Sequence, residues 1–412
     1  MNILYFLSLI LNVLSFVFLL KAVIRTPSLN FLFVIFIGYA LIVRPFAVYI
    51  IGDSYLNKDI FNEQYYFEGY FYSSLFALFT VAGLLVGQKE IINFDINKNN
   101  LIINNINQKI FYWGAMFFAS LFLVVGGLDI LFINRSVTIS TANPFLRYVY
   151  PFGIIFMAGA TVNAVIGFVR VQSLKSCTNL ILVFTYSLIY AQRGFFIAFL
   201  IIGFCACINK INLKTLKYYL LMGVVLSVSL LSKKIIDLLL NDNIYNDGNM
   251  PLLQLITSRP DGDAVDVWMR VVEYTDYYGF GFGTSIFNNI FNFLPHTTRY
   301  YFNILNTQDI LNIAYGEFSY LEQGFGFNVT LPIDLFYNFN IYGLPFIFIA
   351  GFIFGREIKI FKYSTFMGAD PALQSLRLYS IWTITSSLSG LQWAILFYLI
   401  YKIIRYSNRI RY

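Results

Sequence analysis

Apolar runs of about 15 to 24 residues recur from one end of the chain to the other. A helix needs about 20 such residues to cross a hydrocarbon layer of roughly 30 Å, and a sheet can cross only by closing into a barrel. The runs therefore predict an all-α polytopic membrane protein. The length of 412 residues, which in a soluble chain would suggest several domains, is taken up instead by helices in lipid. Composition agrees, with 58% hydrophobic, 19% aromatic and only 12% charged residues. Spans are expected near 3–20, 29–51, 70–86, 110–126, 148–169, 179–191, 195–208, 218–231, 331–354, 376–388 and 391–404, about eleven transmembrane helices in all. The first run has no basic residue before it and no small-residue cleavage site after it, so it reads as a retained span and not as a signal peptide.

A net charge of +7 would hint at nucleic acid in a soluble protein, but here the distribution of charge matters more than its sum. Of the 28 basic residues, 18 fall on one set of connectors and 10 on the other, while only Glu90, Asp95, Glu357 and Asp370 of the 21 acidic residues share the basic side. Basic connectors stay cytoplasmic. The carboxy terminus is thus expected in the cytoplasm, and the amino terminus and the long segment 237–330 outside. The expected organisation is helices over 1–236, a large outer loop over 237–330, and further helices with a short cytoplasmic tail over 331–412. No internal repeat is evident, which argues against a transporter built from duplicated halves. Cys177, Cys205 and Cys207 all fall in or beside expected spans, which predicts neither a disulfide framework nor, with a single histidine in the chain, a zinc site.

Segment 237–330 carries about half of the acidic residues, the only histidine (His296), three arginines (Arg259, Arg270, Arg299) and no lysine. A planar guanidinium makes two parallel hydrogen bonds to a phosphate or carboxylate, whereas a lysine offers one mobile charge. Outer arginines without lysine therefore suit a diphosphate at the membrane boundary. Arg193, between two apolar runs, occupies a position where charge is costly, although it could also snorkel to the headgroups. Arg259 lies in the turn Ser258 to Asp263 and could simply pair with Asp261. Arg270 falls on an expected amphipathic helix marked by Val265, Trp268, Val271 and Val272, capped by Asp263, where Asp266 and Glu273 are local partners. Arg299 follows His296 closely. Arg44 and Arg135 are further outer charges. His296 could accept a proton near neutral pH, with Glu317 and Glu322 as competing bases. The tyrosines from Tyr274 to Tyr320 suit either stacking on sugar rings or an interfacial belt. Gly279, Gly281 and Gly283 follow no strand and precede no Lys-Ser/Thr, which argues against a nucleotide loop.

Taken together, Gln192-Arg193-Gly194 opening a span, the Arg259-Pro260-Asp261-Gly262 turn, the glycine cluster leading to Leu294-Pro295, and the run from Pro332 to Asn340 with Gly343 resemble a Wzy-type O-antigen (oligosaccharide repeat-unit) polymerase. The chain departs from that family in having His296 after the loop proline and Asp334 where a glutamate is usual. The resemblance implies the polymerase and ligase architecture of GT-C-like enzymes and a location in the bacterial inner membrane. It also implies an inverting, metal-independent glycosyltransferase without cofactor. Such an enzyme joins undecaprenyl-diphosphate-linked oligosaccharides at the periplasmic face, among membrane lipids and alongside a chain-length regulator. An O-antigen ligase, with the same donor, and a lipid-linked oligosaccharide flippase are the alternatives. On the polymerase reading Arg193 and Arg259 bind the diphosphate, Arg270 or Arg299 assists, and His296 or a loop carboxylate is the base.

Overall fold

The structure, a computed structural model, describes residues 3–25, 30, 33–34, 37–43, 45–46, 63–89, 105–126, 144–171, 174–189, 193–207, 264–291, 296–315, 329–366, 369–388 and 391–410. Every regular element among them is a helix. They are α1 (Ile3–Arg25), a π-helix (Ile37–Val43), α2 (Glu63–Lys89), α3 (Asn105–Gly126), α4 (Pro144–Val171), α5 (Leu174–Ile189) and α6 (Arg193–Cys207). After the segment that follows α6 come α7 (Ala264–Tyr278), α8 (Thr284–Asn288), a 3-10 turn (Asn289–Phe291), α9 (His296–Tyr301) and α10 (Thr307–Ala314). The last group is α11 (Leu331–Phe339), a second 3-10 turn (Asn340–Gly343), α12 (Leu344–Phe366), α13 (Pro371–Ser386) and α14 (Leu391–Ile410). Ile3–Ala22 in α1, Glu63–Lys89, Lys109–Gly126 in α3 and Val149–Val169 in α4 are long and apolar enough to cross a membrane. The all-α fold with these four helices is that of a multi-pass membrane protein. The expected span 218–231 lies outside the described residues.

Helix α2 is the hub, because α1, α7 and α12 all pack on it. Two glycines spaced by four on α2, Gly83 and Gly87, meet two on α12, Gly351 and Gly355. A Cβ on Gly83 would stand 2.1 Å from the Phe348 carbonyl oxygen, and one on Gly87 equally close to that of Phe352. The relation is reciprocal, since Gly351 presses on the Thr80 carbonyl and Gly355 on that of Leu84. In lipid, where apolar surface gains little by leaving its surroundings, such backbone contact is the main source of helix association. A third glycine on α2, Gly69, seats α7, because its missing Cβ would lie 2.7 Å from the Met269 nitrogen. Trp268 of α7 then packs 5.2 Å from the Phe76 ring of α2 and 5.3 Å from Phe336 of α11. The expected amphipathic helix thus lies on the bundle, with Val265, Trp268, Val271 and Val272 buried.

Helix α1 joins the hub by polar contacts. A π-helix leaves carbonyls without their usual partners, and here the Leu41 carbonyl accepts from Asn12 Nδ2 of α1 at 3.1 Å and from the Tyr70 hydroxyl of α2 at 2.6 Å. Asn12 Nδ2 also donates to Ser74 Oγ at 2.8 Å.

The apolar run 331–354, expected as one span, is two helices. Asn340 adopts a left-handed φ of 52°, and Gly343 lies so close to Leu335 that a Cβ would meet it at 3.0 Å, so the chain turns back on itself between α11 and α12. With nine residues, α11 is about 13 Å long and does not span a membrane.

Replacing Gly83 or Gly351 by alanine is expected to lower stability by about 1–3 kcal/mol, the usual cost of overpacking. The check is the thermal midpoint of the purified protein in detergent; unchanged midpoints in both variants would contradict the close approach.

Candidate functional site

The glycine turn after α7 fixes the site. Gly279, at φ 81°, ends α7 by donating its N–H to the Thr275 carbonyl at 3.0 Å. Gly281 then donates to the Tyr337 carbonyl at 3.0 Å, with a Cβ excluded by the Tyr337 ring at 2.3 Å. Gly283 donates to Asn338 Oδ1 at 2.8 Å. The turn is in this way strapped to α11, and α8 starts with Ser285 facing inward.

The groups gathered there form one buried polar network. Asn338 Nδ2 donates to Ser285 Oγ and to the Asp334 carbonyl, each at 2.7 Å. The Ser285 and Thr307 hydroxyls lie 2.9 Å apart. Thr307 Oγ1 donates to Asp334 Oδ1, and Asn289 Nδ2 donates to Asp334 Oδ2 at 3.3 Å. Because the Thr307 proton is directed at the carboxylate, Ser285 donates to Thr307 and the hydroxyls form a one-way chain ending at Asp334. Asp334 is 2% exposed. Burial disfavours its charge and the hydrogen bonds from Thr307 and Asn289 only partly offset this, so its carboxyl is pushed up to about 7.

Beside this network α10 begins with a capping box. Asn306 Oδ1 accepts from the Asp309 N–H at 2.8 Å, and Asp309 Oδ2 accepts in return from the Asn306 N–H at 3.2 Å. The same Asp309 oxygen receives Arg299 Nη1 at 2.5 Å, in a buried ion pair. Burial works against the Arg299 charge and Asp309 counters it. At the other end of α10, the Arg270 guanidinium lies 4.4 Å from the Tyr315 ring centre and 3.5 Å from Glu273 Oε2, while the Tyr315 hydroxyl donates to the Arg270 carbonyl at 3.0 Å. The two arginines therefore flank α10, their partners Asp309 and Tyr315 separated by about 9 Å along its axis.

Of the residues expected from the sequence, Arg270 and Arg299 are brought to one helix, each with a carboxylate. Arg270 takes the local partner Glu273. Arg193 is the first residue of α6 and His296 the first of α9; their side chains lie outside the described residues. Arg44, Arg135, Arg259, Glu317, Glu322 and the expected cap Asp263 lie outside the described residues altogether. Sequence reasoning missed Asp334, Ser285, Asn289, Thr307 and Asn338 as a unit. The available signal was Asp334 and Asn338, four apart on one face of an apolar run, where an acid is costly without partners. Among the described residues no three His, Cys, Asp or Glu side chains are placed to hold a metal ion.

Removing the Thr307 hydroxyl by T307V leaves a buried carboxylate oxygen without its donor and is expected to cost about 1–3 kcal/mol, read as a lower thermal midpoint. The pH dependence has a definite sign. Between the ordinary aspartate value of about 4 and the folded value of about 7, the folded protein keeps a proton at Asp334 that the unfolded chain releases, so stability falls as pH rises through that window. D334N removes that group, so its thermal midpoint should change less than the native one between about pH 5 and about pH 8; equal slopes would refute the shift. Set against protein-family models, characterised proteins and solved structures, the chain matches none.

Proposed function

We propose that this chain is an O-antigen polymerase of the bacterial inner membrane, with about eleven spans in the GT-C-like polymerase and ligase arrangement, its amino terminus periplasmic and its carboxy terminus cytoplasmic. The observation that carries the reading is the gathering around α10 of Arg270 from α7, Arg299 from α9 and the buried Asp334 of α11, which come from the lysine-free outer segment and the helix that follows it. A glycan transfer from a lipid diphosphate needs such groups. The anomeric carbon–oxygen bond to the diphosphate breaks, the hydroxyl oxygen of the acceptor bonds to that carbon, its proton passes to a base, and undecaprenyl diphosphate leaves. Preorganised guanidinium groups stabilise the negative charge that grows on the leaving group.

In this scheme Arg193 and Arg259 bind the diphosphate, with Arg270 or Arg299 assisting and Arg44 and Arg135 further out. His296, Glu317 or Glu322 takes the proton. Arg270 and Arg299 each meet a carboxylate through Nη1, and a guanidinium carries five N–H donors, so each can hold its carboxylate and offer further donors to a diphosphate. Asp334, enclosed and hydrogen-bonded at both oxygens, positions the turn that carries α8.

The test is the gel profile of surface lipopolysaccharide from cells lacking the gene. Core bearing a single repeat unit, with a ladder restored by the native gene but not by Arg193→Ala at equal membrane abundance, is the expected result. Polymer that accumulates on the lipid carrier without reaching core would favour the ligase reading, and an unchanged profile would refute both.

A further inference from the structure

The short elements after α7 are built inside out. In α8 and its 3-10 turn, Ser285 and Asn289 face the protein, whereas Phe287, at 70% exposure, and Ile290 face away from it. Helix α9 repeats the pattern, with Arg299 buried and Tyr301 83% exposed. In water the hydrophobic effect arranges such elements the other way round. Phe282 sharpens the point, because it is 82% exposed and held at a left-handed φ of 48°, a conformation that costs a bulky residue free energy. From Tyr277 to Pro295 the sequence contains no Asp, Glu, Lys or Arg.

This outward face is continuous with the bundle. Gly283 lies against the Phe339 ring, where a Cβ would meet Cζ at 3.7 Å, and Phe339 stacks on Phe346 at 5.6 Å. Phe346 opens the exposed apolar face of α12, which continues through Ile349 and Ile353 beside the membrane-length α2. On the other flank the 3-10 turn Asn289–Phe291 packs against α14, whose Ile395 and Leu399 are also exposed.

From this inverted polarity and its continuity with the outer faces of α12 and α14, we infer that segments 279–291 and 296–302 form a plate embedded in the outer leaflet, with Phe282, Phe287, Ile290 and Tyr301 in lipid. The polar side of the plate closes over α10 and α11. Its depth is set by its backbone, because the turn and the short helix ends leave peptide groups that hydrocarbon would not satisfy. The plate therefore lies at the boundary between headgroups and acyl chains, where aromatic rings insert and tyrosine hydroxyls stay wet. A soluble partner is disfavoured by the lack of charge, since a transient protein interface keeps a polar rim. The inference depends on the membrane fold and, for the choice of leaflet, on the proposed orientation; it does not depend on the proposed reaction.

The test uses the full chain with Cys177, Cys205 and Cys207 replaced by alanine, reconstituted in phosphatidylethanolamine and phosphatidylglycerol vesicles. A nitroxide is attached in turn through F282C, F287C and Y301C, with Q64C at the polar, exposed start of α2 as the aqueous reference and I353C as the lipid reference. Collision rates with oxygen and with a water-soluble nickel chelate are then compared. The expected result is several-fold less contact with the chelate at all three sites than at position 64, with oxygen contact close to that at 353. Chelate contact equal to that at 64 would overturn the inference. Low contact with both probes together with broadening between labels would also overturn it, by showing a second copy of the chain on this face. The three replaced side chains are exposed, and gel filtration of each labelled protein checks that the fold is kept.

Discussion

Everything described around α10 and α11 depends on how closely two backbones approach inside the bundle. With Gly83 and Gly87 against Gly351 and Gly355, α2 and α12 touch along their main chains, with no side chains between them. This fixes where α12 begins and therefore where α11 must turn back to meet it. Gly69 then fixes α7 on the same hub, and Trp268, Phe76 and Phe336 fill the angle between α2, α7 and α11. The polar network is held at the corner of three helices whose spacing is set by missing side chains. Close contact of this kind gains dispersion energy that does not depend on excluding water, so it holds helices together in lipid as it does in water.

The network itself has two proton arrangements. With Asp334 ionised, the Thr307 and Ser285 hydroxyls must both point along the chain towards it. Once Asp334 is protonated, its own proton can be given to Thr307. Arg299 and Asp309 nearby are less adaptable, because the Asp309 oxygen that pairs with Arg299 also closes the capping box of α10 by accepting from the Asn306 N–H, so withdrawing it would open the helix start as well as leave a buried guanidinium without its carboxylate.

The long helices were legible because a single property, unbroken apolarity over the thickness of a bilayer, decides them: the expected 3–20, 70–86, 110–126 and 148–169 all fall within described helices. Helix α7 was legible from the spacing of Val265, Trp268, Val271 and Val272. The break at Asn340–Gly343 was not, because Ile341 and Tyr342 keep the run apolar through the turn and only Asn340 and Gly343 mark it in the sequence. Arg270 has a partner three residues away and could be read, whereas the partner of Arg299 is ten residues on, across a turn. The polar cluster was hardest. Serine, threonine and asparagine carry little positional information singly, and here residues 285, 289, 307, 334 and 338 become a unit only when α8, α10 and α11 meet. The glycine pairs repeat every fourth residue on both helices, yet the spacing alone does not say which of them face each other.

The π-helix at Ile37–Val43 bears on how this chain can vary. A π-turn holds one residue more than an α-turn, so beyond it the angular count of about 100° per residue slips by one step. Loss of a single residue there would let the helix close into ordinary α-geometry and withdraw the Leu41 carbonyl from Asn12 and Tyr70, removing one tie between α1 and α2 while the direct bond from Asn12 to Ser74 and the packing of Tyr5 on Phe67 and Tyr70 remain. A one-residue deletion there, invisible to any measure of composition, would thus be felt in the seat of the first helix.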